Sequence, residues 1–243
     1  MKNNIMNSVK IFILAIAIFT LTSCGEHKSF IFVIDLSDSV TQKAREHSFQ
    51  AIYDSAAKLG RGDTLIIVPI TGDAATQTSG NVVRVEASEI RKLRDKDLKE
   101  FQAEITNKLE KMQQSSLIYP NTDLFGALRI ANEIAKTQPQ DVRVMLFVLS
   151  DLLNSTNEIR FEKDALFDDP KKTRELAETK KLEWSNIEIY CGSLSSTDLA
   201  RMPPQRRENV RLFWQEYFKL GNAKRIQIAT DGIGQIKDFI RQE

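Results

Sequence analysis

The side chains best suited to chemistry lie at residues 35–39, directly after an apolar run at residues 30–34. Asp35, Ser37 and Ser39 place one carboxylate and two hydroxyls at alternate positions of this segment. All three offer hard oxygen atoms, which are the ligands that small divalent cations such as Mg2+ prefer. The pattern therefore predicts that a buried strand ends here and opens into a metal-binding loop.

Two further segments carry oxygen ligands at comparable places. Thr122 lies in a polar turn before a predicted helix at residues 123–136, and Asp151 follows the apolar run at residues 144–149. In a doubly wound parallel sheet, ligands bind at the carboxyl ends of the strands, near the point where the strand order switches. We therefore expect all three segments to meet at that edge.

The rest of the chain alternates short apolar runs with longer amphipathic stretches, which is typical of an α/β fold with helices on both faces of a mostly parallel sheet. One run alternates in polarity and follows its predecessor after a short polar loop, which favours an antiparallel edge strand. The six predicted strands are 30–35, 64–70, 81–86 (the edge strand), 142–150, 187–192 and 225–229. The predicted helices are 40–59, 96–113, 123–136, 170–182, 204–220 and 234–242.

These motifs together resemble a von Willebrand factor A-type (VWA) domain over residues 30–241, approximately. Asp35, Ser37 and Ser39 match the D-x-S-x-S motif of that family, Thr122 matches its threonine, and Asp151 matches its aspartate after the fourth strand. The resemblance implies a Rossmann-like fold with a metal-ion-dependent adhesion site (MIDAS) for Mg2+ or Mn2+. It also implies the ligand roles, in which the three hydroxyls and two carboxylates bind the metal, partly through water. A sixth position stays open for a carboxylate of a protein partner.

One departure from the family pattern and one alternative bear on this interpretation. Many family members have glycine after the last aspartate, whereas Leu152 and Leu153 stand here. The two leucines either form an apolar rim for a partner or belong to the core. The hydroxyls also have a purely structural interpretation, because Ser39 can cap the first helix and Thr122 or Asn121 the later one.

The N-terminus resembles a bacterial lipoprotein signal peptide. Lys2 and Lys10 precede or border an apolar run at residues 11–22, which is too short to span a membrane, and a lipobox-like segment then ends at Cys24. The sequence predicts a signal peptide at residues 1–24 with lipid on Cys24, a tether at 25–29 and one VWA-like domain at 30–243. Gly25 then implies outer-membrane sorting in a Gram-negative cell envelope. The alternatives are an ordinary signal peptide and an uncleaved anchor.

Several function classes find no support in the sequence. A net charge of +1 gives no argument for nucleic-acid binding, and no phosphate-binding glycine loop is present. A phosphohydrolase of the haloacid-dehalogenase type needs a second aspartate at position 37, where a serine stands. His27 and His47 lie in the predicted tether and the first helix, and Cys191 in an apolar strand. We therefore predict no enzyme and no small-molecule substrate.

Two non-enzymatic functions remain open. In the first, the chain is a membrane-anchored module that docks an acidic residue of a protein partner through its metal. In the second, it is a metal-independent envelope scaffold or accessory subunit that uses other surfaces. The basic residues that such a scaffold would offer to anionic lipid are Arg201, Arg206, Arg207 and Arg211, and the alternative for this cluster is a solvated helix face.

Overall fold

The computed structural model describes residues 26–72, 82–87, 121–229 and 233–242, and some single residues between 96 and 111. Those single residues are helical, in agreement with the helix predicted at 96–113. Cys24, its lipobox and the apolar run before it lie outside the described residues. None of the helices in the described part of the chain has the length and apolar character that a membrane span requires.

One mixed sheet of six strands forms the centre of the molecule. Its strand order is β3-β2-β1-β4-β5-β6, and all neighbours pair in parallel except β2 and β3, which pair antiparallel at one edge. The predicted sheet and its antiparallel edge strand are thus confirmed. The strands are β1 (Lys28–Asp35), β2 (Thr64–Ile70), β3 (Val83–Glu86), β4 (Arg143–Ser150), β5 (Ile187–Ser193) and β6 (Arg225–Ala229).

Four of the six helices with complete bounds begin at a residue whose side chain caps the first turn. Thr41 accepts the amide N–H of Ala44 at the start of the first helix, and Asp169 caps the helix that has Pro170 in its first turn. A 3-10 turn at Ala165–Asp168 comes just before that helix. The helices are α1 (Gln42–Ala56), α2 (Leu124–Lys136), α3 (Pro170–Lys180), α4 (Thr197–Arg201), α5 (Pro204–Leu220) and α6 (Ile236–Arg241).

Each face of the sheet has its own hydrophobic core, because successive side chains of a strand point to opposite faces. In β1, Ile31 and Val33 pack into the core under α2, α3 and α5, whereas Phe30 and Phe32 pack into the core under α1 and α6. The predicted arrangement of helices on both faces is confirmed. The aromatic stripe of α5 lies wholly in the first core and comprises Phe213, Trp214, Tyr217 and Phe218, next to Val210.

The first strand begins earlier than the sequence predicts. Lys28 donates its backbone N–H to the Asp63 carboxylate over 2.8 Å, and the fully buried Ser29 accepts a hydrogen bond from the Thr64 hydroxyl. Residues 28 and 29 therefore belong to β1, whose first two residues fall within the range predicted as a tether, 25–29. Their polar side chains hid the strand start, although the Ser29 hydroxyl is satisfied by a partner on the neighbouring strand.

A buried ion-pair network holds the amino ends of the strands. Glu188 on β5 accepts two hydrogen bonds from Arg143 on β4, at 2.8 and 2.9 Å, and pairs with Arg225 on β6. Both arginines also donate to the backbone carbonyl of Gln242, which follows α6. The network thus attaches the last helix to the edge of the sheet opposite the predicted metal loops.

Candidate metal centre

The carboxylate of Asp35 occupies the end of β1, at the switch point where β2 lies on one side and β4 on the other. The residue is 2% exposed. One carboxylate oxygen accepts the backbone N–H of Ser37 at 2.9 Å, and the other accepts the hydroxyl of Ser150 at 2.8 Å. Both oxygens are therefore held in place by the loop and by the neighbouring strand.

The two serine hydroxyls of the first loop lie together. Ser37 Oγ and Ser39 Oγ are 3.0 Å apart, and both residues are half-buried. Ser39 does not cap α1, because Thr41 takes that role. The backbone carbonyl of Ser39 instead accepts the N–H of Thr197, so the start of α4 holds the loop. Within the described residues, the two hydroxyls contact each other and that of Ser37 also bonds to the Asp35 carboxylate, which leaves oxygen lone pairs for a cation.

Thr122 is brought to the same edge of the sheet by a different element. It pairs through its backbone with Ser155 in both directions, at 2.7 and 2.9 Å, and the next residue, Asp123, donates its N–H to the carbonyl of Thr71. Thr71 directly follows β2, whose last residue pairs with Asp35. Asp123 caps α2 through a 2.8 Å hydrogen bond from Gly126 N, so capping by Asn121 or Thr122 is not what occurs.

The hydroxyl of Thr122 is correspondingly uncommitted. Its residue is largely buried, and within the described residues no hydrogen bond engages its side chain. The hydroxyl of Thr71 is itself fully buried and has no hydrogen-bond partner among the described residues. A buried hydroxyl without a partner is costly, and a bound cation or its water would satisfy it. The sequence pattern did not identify Thr71, which stands alone after an apolar strand.

Asp151 supplies the second carboxylate, one residue beyond the end of β4. It is 3% exposed, and one of its oxygens accepts the backbone N–H of Leu153 at 3.0 Å. Ser196, just before α4, also hydrogen bonds to this carboxylate. Sequence analysis missed Ser196 because it comes from a separate loop, and no local motif marks it.

Ser150 connects the two acidic residues and was also missed as a site residue. It is fully buried; its hydroxyl donates to Asp35 and accepts the backbone N–H of Leu152 at 3.0 Å. A polar residue that closes an apolar strand next to an aspartate was the available signal. Ser150 fixes the position of the Asp35 carboxylate relative to the loop that carries Asp151.

Burial and mutual repulsion make the two carboxylates poor anions without a counter-charge. Desolvation by burial raises the pKa of Asp35, and hydrogen bonds from Ser37 and Ser150 only partly oppose this. Burial, followed by the negative charge of Asp35, raises the pKa of Asp151 to about 7. Arg45 contributes only a minor charge effect on Asp35. The site therefore favours either a proton or a cation between the two aspartates.

The donor set fits a small hard cation. Two buried carboxylates, and several hydroxyls with lone pairs to offer, match the oxygen ligands of Mg2+ and Mn2+. In the described part of the chain, no three His, Cys, Asp or Glu side chains lie close enough together to hold a metal ion by themselves. This centre would depend on hydroxyls beside two aspartates. Metal binding by Asp35, Ser37, Ser39, Thr122 and Asp151 stays a prediction.

Leu152 and Leu153 do not form an exposed apolar rim. Each is 4% exposed and packs in the core that contains the aromatic stripe of α5. Leu152 has φ 65°, the left-handed conformation that favours glycine, and its carbonyl accepts the indole N–H of Trp214. Leu152 thus has the backbone conformation typical of glycine at this position, while its side chain packs in the core. Of the two interpretations, the rim is wrong and the core is correct.

Comparisons with known proteins find solved structures of similar fold but no family. No protein-family model and no curated protein matches the chain significantly. The crystal structure of manganese-loaded TRAP protein from Plasmodium vivax is similar, with 11% identity, a TM-score of 0.44 and coverage of 89% of this chain and 72% of that chain. The pilus adhesin SpaC from Lactobacillus rhamnosus GG, in an open conformation, gives 12% identity and a TM-score of 0.50.

The second alignment covers 90% of this chain and only 30% of the adhesin, so the chain spans less than a third of that protein. At such low identity the likeness concerns the fold alone. Together with the strand order and the antiparallel edge strand, it confirms the VWA-like fold that the motifs predict.

Proposed function

We propose that this VWA-like domain is a metal-dependent protein-binding module, in which Mg2+ or Mn2+ held by the site docks an acidic residue of a partner. The observation that carries the proposal is the pair of buried carboxylates, Asp35 and Asp151, with hydroxyl oxygens beside them. Such a pair is costly in the folded protein unless a cation balances it. Natural chains retain such a cost at functional sites.

Docking of an acidic partner follows from the charge and the number of ligands. Mg2+ takes six oxygens, and the chain offers two carboxylates with Ser37, Ser39 and Thr122 as neutral donors. A position is thereby left for an oxygen from outside. A partner carboxylate would complete the shell in a largely water-excluded site, where charge-assisted contacts are strong. The pilus adhesin of similar fold is a binding protein by its name, and a binding role for this chain rests on its own site.

The other reactive side chains of the described chain support binding rather than catalysis. Cys191 is fully buried in β5, and burial raises the pKa of its thiol, which disfavours the thiolate. His27 lies at the opposite edge of the sheet, where its ring nitrogen contacts the carbonyl of Arg61. His47 is exposed on α1. None of these three is positioned as a nucleophile or a base beside the two aspartates.

We further propose that Cys24 carries lipid and anchors the domain to the bacterial cell envelope, at the outer membrane if the cell is Gram-negative. The proposal rests on the lipobox-like sequence before Gly25. Since β1 starts at Lys28, the domain would sit directly at the membrane surface. Metabolic labelling with a palmitate analogue tests it: label on the wild type and none on Cys24→Ala supports the anchor, and an unlabelled wild type removes it.

Titration calorimetry with Mg2+ and Mn2+ tests the metal site itself. The chain from residue 25 onward retains every described residue and is the protein to use. One saturable site, lost in Asp35→Ala and kept in Asp38→Asn, is the expected result. Asp38 is the matched control because it is exposed in the same loop. The metal site would be overturned if Asp35→Ala and Asp38→Asn bound the metal equally well. It would also be overturned if the wild type and both variants failed to bind.

The metal-independent scaffold is the competing function, and the structure describes its basic surface. Arg206 is already paired with Asp168, and Arg211 with Glu208. Two of the four arginines are therefore engaged within the domain. Partner binding that survives chelation but is lost at high salt would favour the scaffold, whereas loss on chelation with recovery in Mg2+ would favour the metal-dependent module.

A further inference from the structure

A groove of about 320 Å³ opens directly beside the candidate metal centre. Asp151 and Leu152 contribute to its lining, together with Leu199 of α4, the carboxyl ends of β5 and β6 and the first turns of α5. The groove therefore continues the surface that a partner carboxylate on the metal would touch.

The floor of the groove is apolar. It includes side chains of Leu199, Val210 and Ile228, which come from α4, α5 and β6. Val210 is buried, while the other two are half-buried and pack against the core. Partly exposed apolar side chains in a concave surface favour an apolar side chain of a partner, because its burial removes further apolar area from water.

Among the residues that line the groove, one positive charge remains once the internal pairs are counted. Arg211 is neutralised by Glu208, with Nε of the arginine 2.8 Å from the glutamate oxygen. Asp151 would be committed to the cation. Arg207 lines the groove, is exposed and makes no ion pair with any described residue. The charge left over in the lining is thus that of Arg207, which attracts an acidic group, while the cation attracts a carboxylate oxygen through its open coordination position.

We propose that this groove binds an acidic segment of the partner protein, in which the metal-binding Asp or Glu is flanked by one apolar residue and a second acidic residue. The apolar side chain occupies the floor formed by Leu199, Val210 and Ile228, and the second carboxylate pairs with Arg207. This inference rests on the proposed metal-dependent function and adds to it the sequence chemistry of the partner. It also gives selectivity, since a lone carboxylate would gain neither contact.

A peptide selection tests the partner chemistry before the partner itself is identified. A phage library of short linear peptides with one fixed Asp is selected on the full-length chain in detergent with Mg2+, and bound phage are eluted with EDTA. We expect an apolar and a second acidic residue to be enriched near the fixed Asp. Synthetic peptides from the pool then give affinities by fluorescence anisotropy.

The variants separate the groove from the metal. Arg207→Glu should weaken the selected peptides by about tenfold. Arg201→Glu should not, because this exposed residue of α4 does not line the groove. A peptide whose second acidic residue is replaced by Lys should regain affinity for Arg207→Glu, a recovery that misfolding of the variant cannot produce.

Each outcome identifies what fails. If EDTA-sensitive peptides lack the second acidic residue, or bind Arg207→Glu as well as the wild type, the groove proposal is overturned and the metal-dependent function stands. If no peptide binds in a Mg2+-dependent way, or if Asp151→Asn binds peptides as well as the wild type, both are overturned.

Discussion

Trp214 donates its indole N–H to the backbone carbonyl of Leu152 over 2.8 Å, and this bond connects the aromatic core of α5 to the residue directly after Asp151. Both residues are buried, so the carbonyl has no water to replace the bond. We predict that Trp214→Phe lowers the free energy of unfolding by about 2 kcal/mol, from the lost bond and the smaller ring. It should also weaken Mg2+ binding, because the loop that carries Asp151 loses a fixed point.

The chain provides a matched control for this substitution. Trp184 is equally buried, but its indole N–H has no partner among the described residues. Trp184→Phe removes the same atoms without breaking a hydrogen bond. Urea denaturation and Mg2+ titration of both variants compare them directly. An effect on Mg2+ affinity that is no larger for Trp214→Phe than for Trp184→Phe would contradict the role given to the Leu152 bond.

Leu152 and Leu153 are equally buried yet differ in backbone conformation, which predicts unequal costs of substitution. Of the two leucines, only Leu152 has a positive φ, of 65°. Both Leu152→Gly and Leu153→Gly lose apolar burial and gain chain entropy in the unfolded state, but only Leu152→Gly also relieves left-handed strain of about 1–2 kcal/mol. We expect Leu152→Gly to be less destabilising by at least about 1 kcal/mol. Equal costs in urea denaturation would show that the strain is absent.

The ion pairs of Glu188 predict a stability effect that leaves the metal site untouched. Burial alone would raise the pKa of Glu188, but hydrogen bonds and charge from Arg143, with charge from Arg225, hold it below its ordinary value. Glu188→Gln leaves both arginines without their counter-charge and should cost about 3 kcal/mol. Mg2+ affinity should not change, because the network lies at the opposite edge of the sheet.

The lowered pKa of Glu188 also gives this effect a pH dependence. Since the folded-state pKa lies below the unfolded-state value, the charged form contributes stability above the ordinary pKa, and this is lost as pH falls through the folded-state value. The difference in free energy of unfolding between wild type and Glu188→Gln should therefore shrink in acid. A difference that stays constant from neutral pH into that range would contradict the assignment.

The sequence predicts the elements of this fold well because its strands are continuous apolar runs that end in polar residues. Asp35 and Asp151 were identified for that reason, since each closes such a run. The roles of Ser150 and Ser196 were not predictable, because they depend on which strand and which loop lie next to the aspartates. Register and strand order decide this, and neither is written in a local motif.

Helix caps show a similar limit at the scale of one or two residues. Ser39 and Thr41 are equally suitable caps by type, as are Thr122 and Asp123. In both loops the later residue caps the helix, because the earlier one is held by distant backbone partners, Thr197 and Ser155 respectively. The hydroxyls of Ser39 and Thr122 are therefore not used as helix caps, which favours the metal interpretation over the structural one.

We predict that the charge of the Asp151 carboxylate lowers the stability of the metal-free protein, although the same charge is needed to bind the metal. Its pKa is raised from 3.8 to about 7 by burial and by Asp35. The folded state without metal therefore binds more protons than the unfolded state between these values, and its stability falls as pH rises from about 4 to about 7. Asp151→Asn removes the charge, so at pH 8 without metal it should be more stable than wild type, by about 2 kcal/mol.

Saturating Mg2+ should reverse that order. A cation that binds only the folded wild type adds about 2.7 kcal/mol at a concentration of 100 times its Kd, and Asp151→Asn should gain nothing. Because the proton competes with the metal, the Mg2+ affinity of the wild type should rise with pH up to about 7 and then level. Thermal unfolding with and without Mg2+ across this range measures both effects, with Asp38→Asn as the exposed control from the same loop. If the Asn variant is less stable than wild type without metal, the two aspartates do not repel each other in the folded protein, and the charge argument for the site fails.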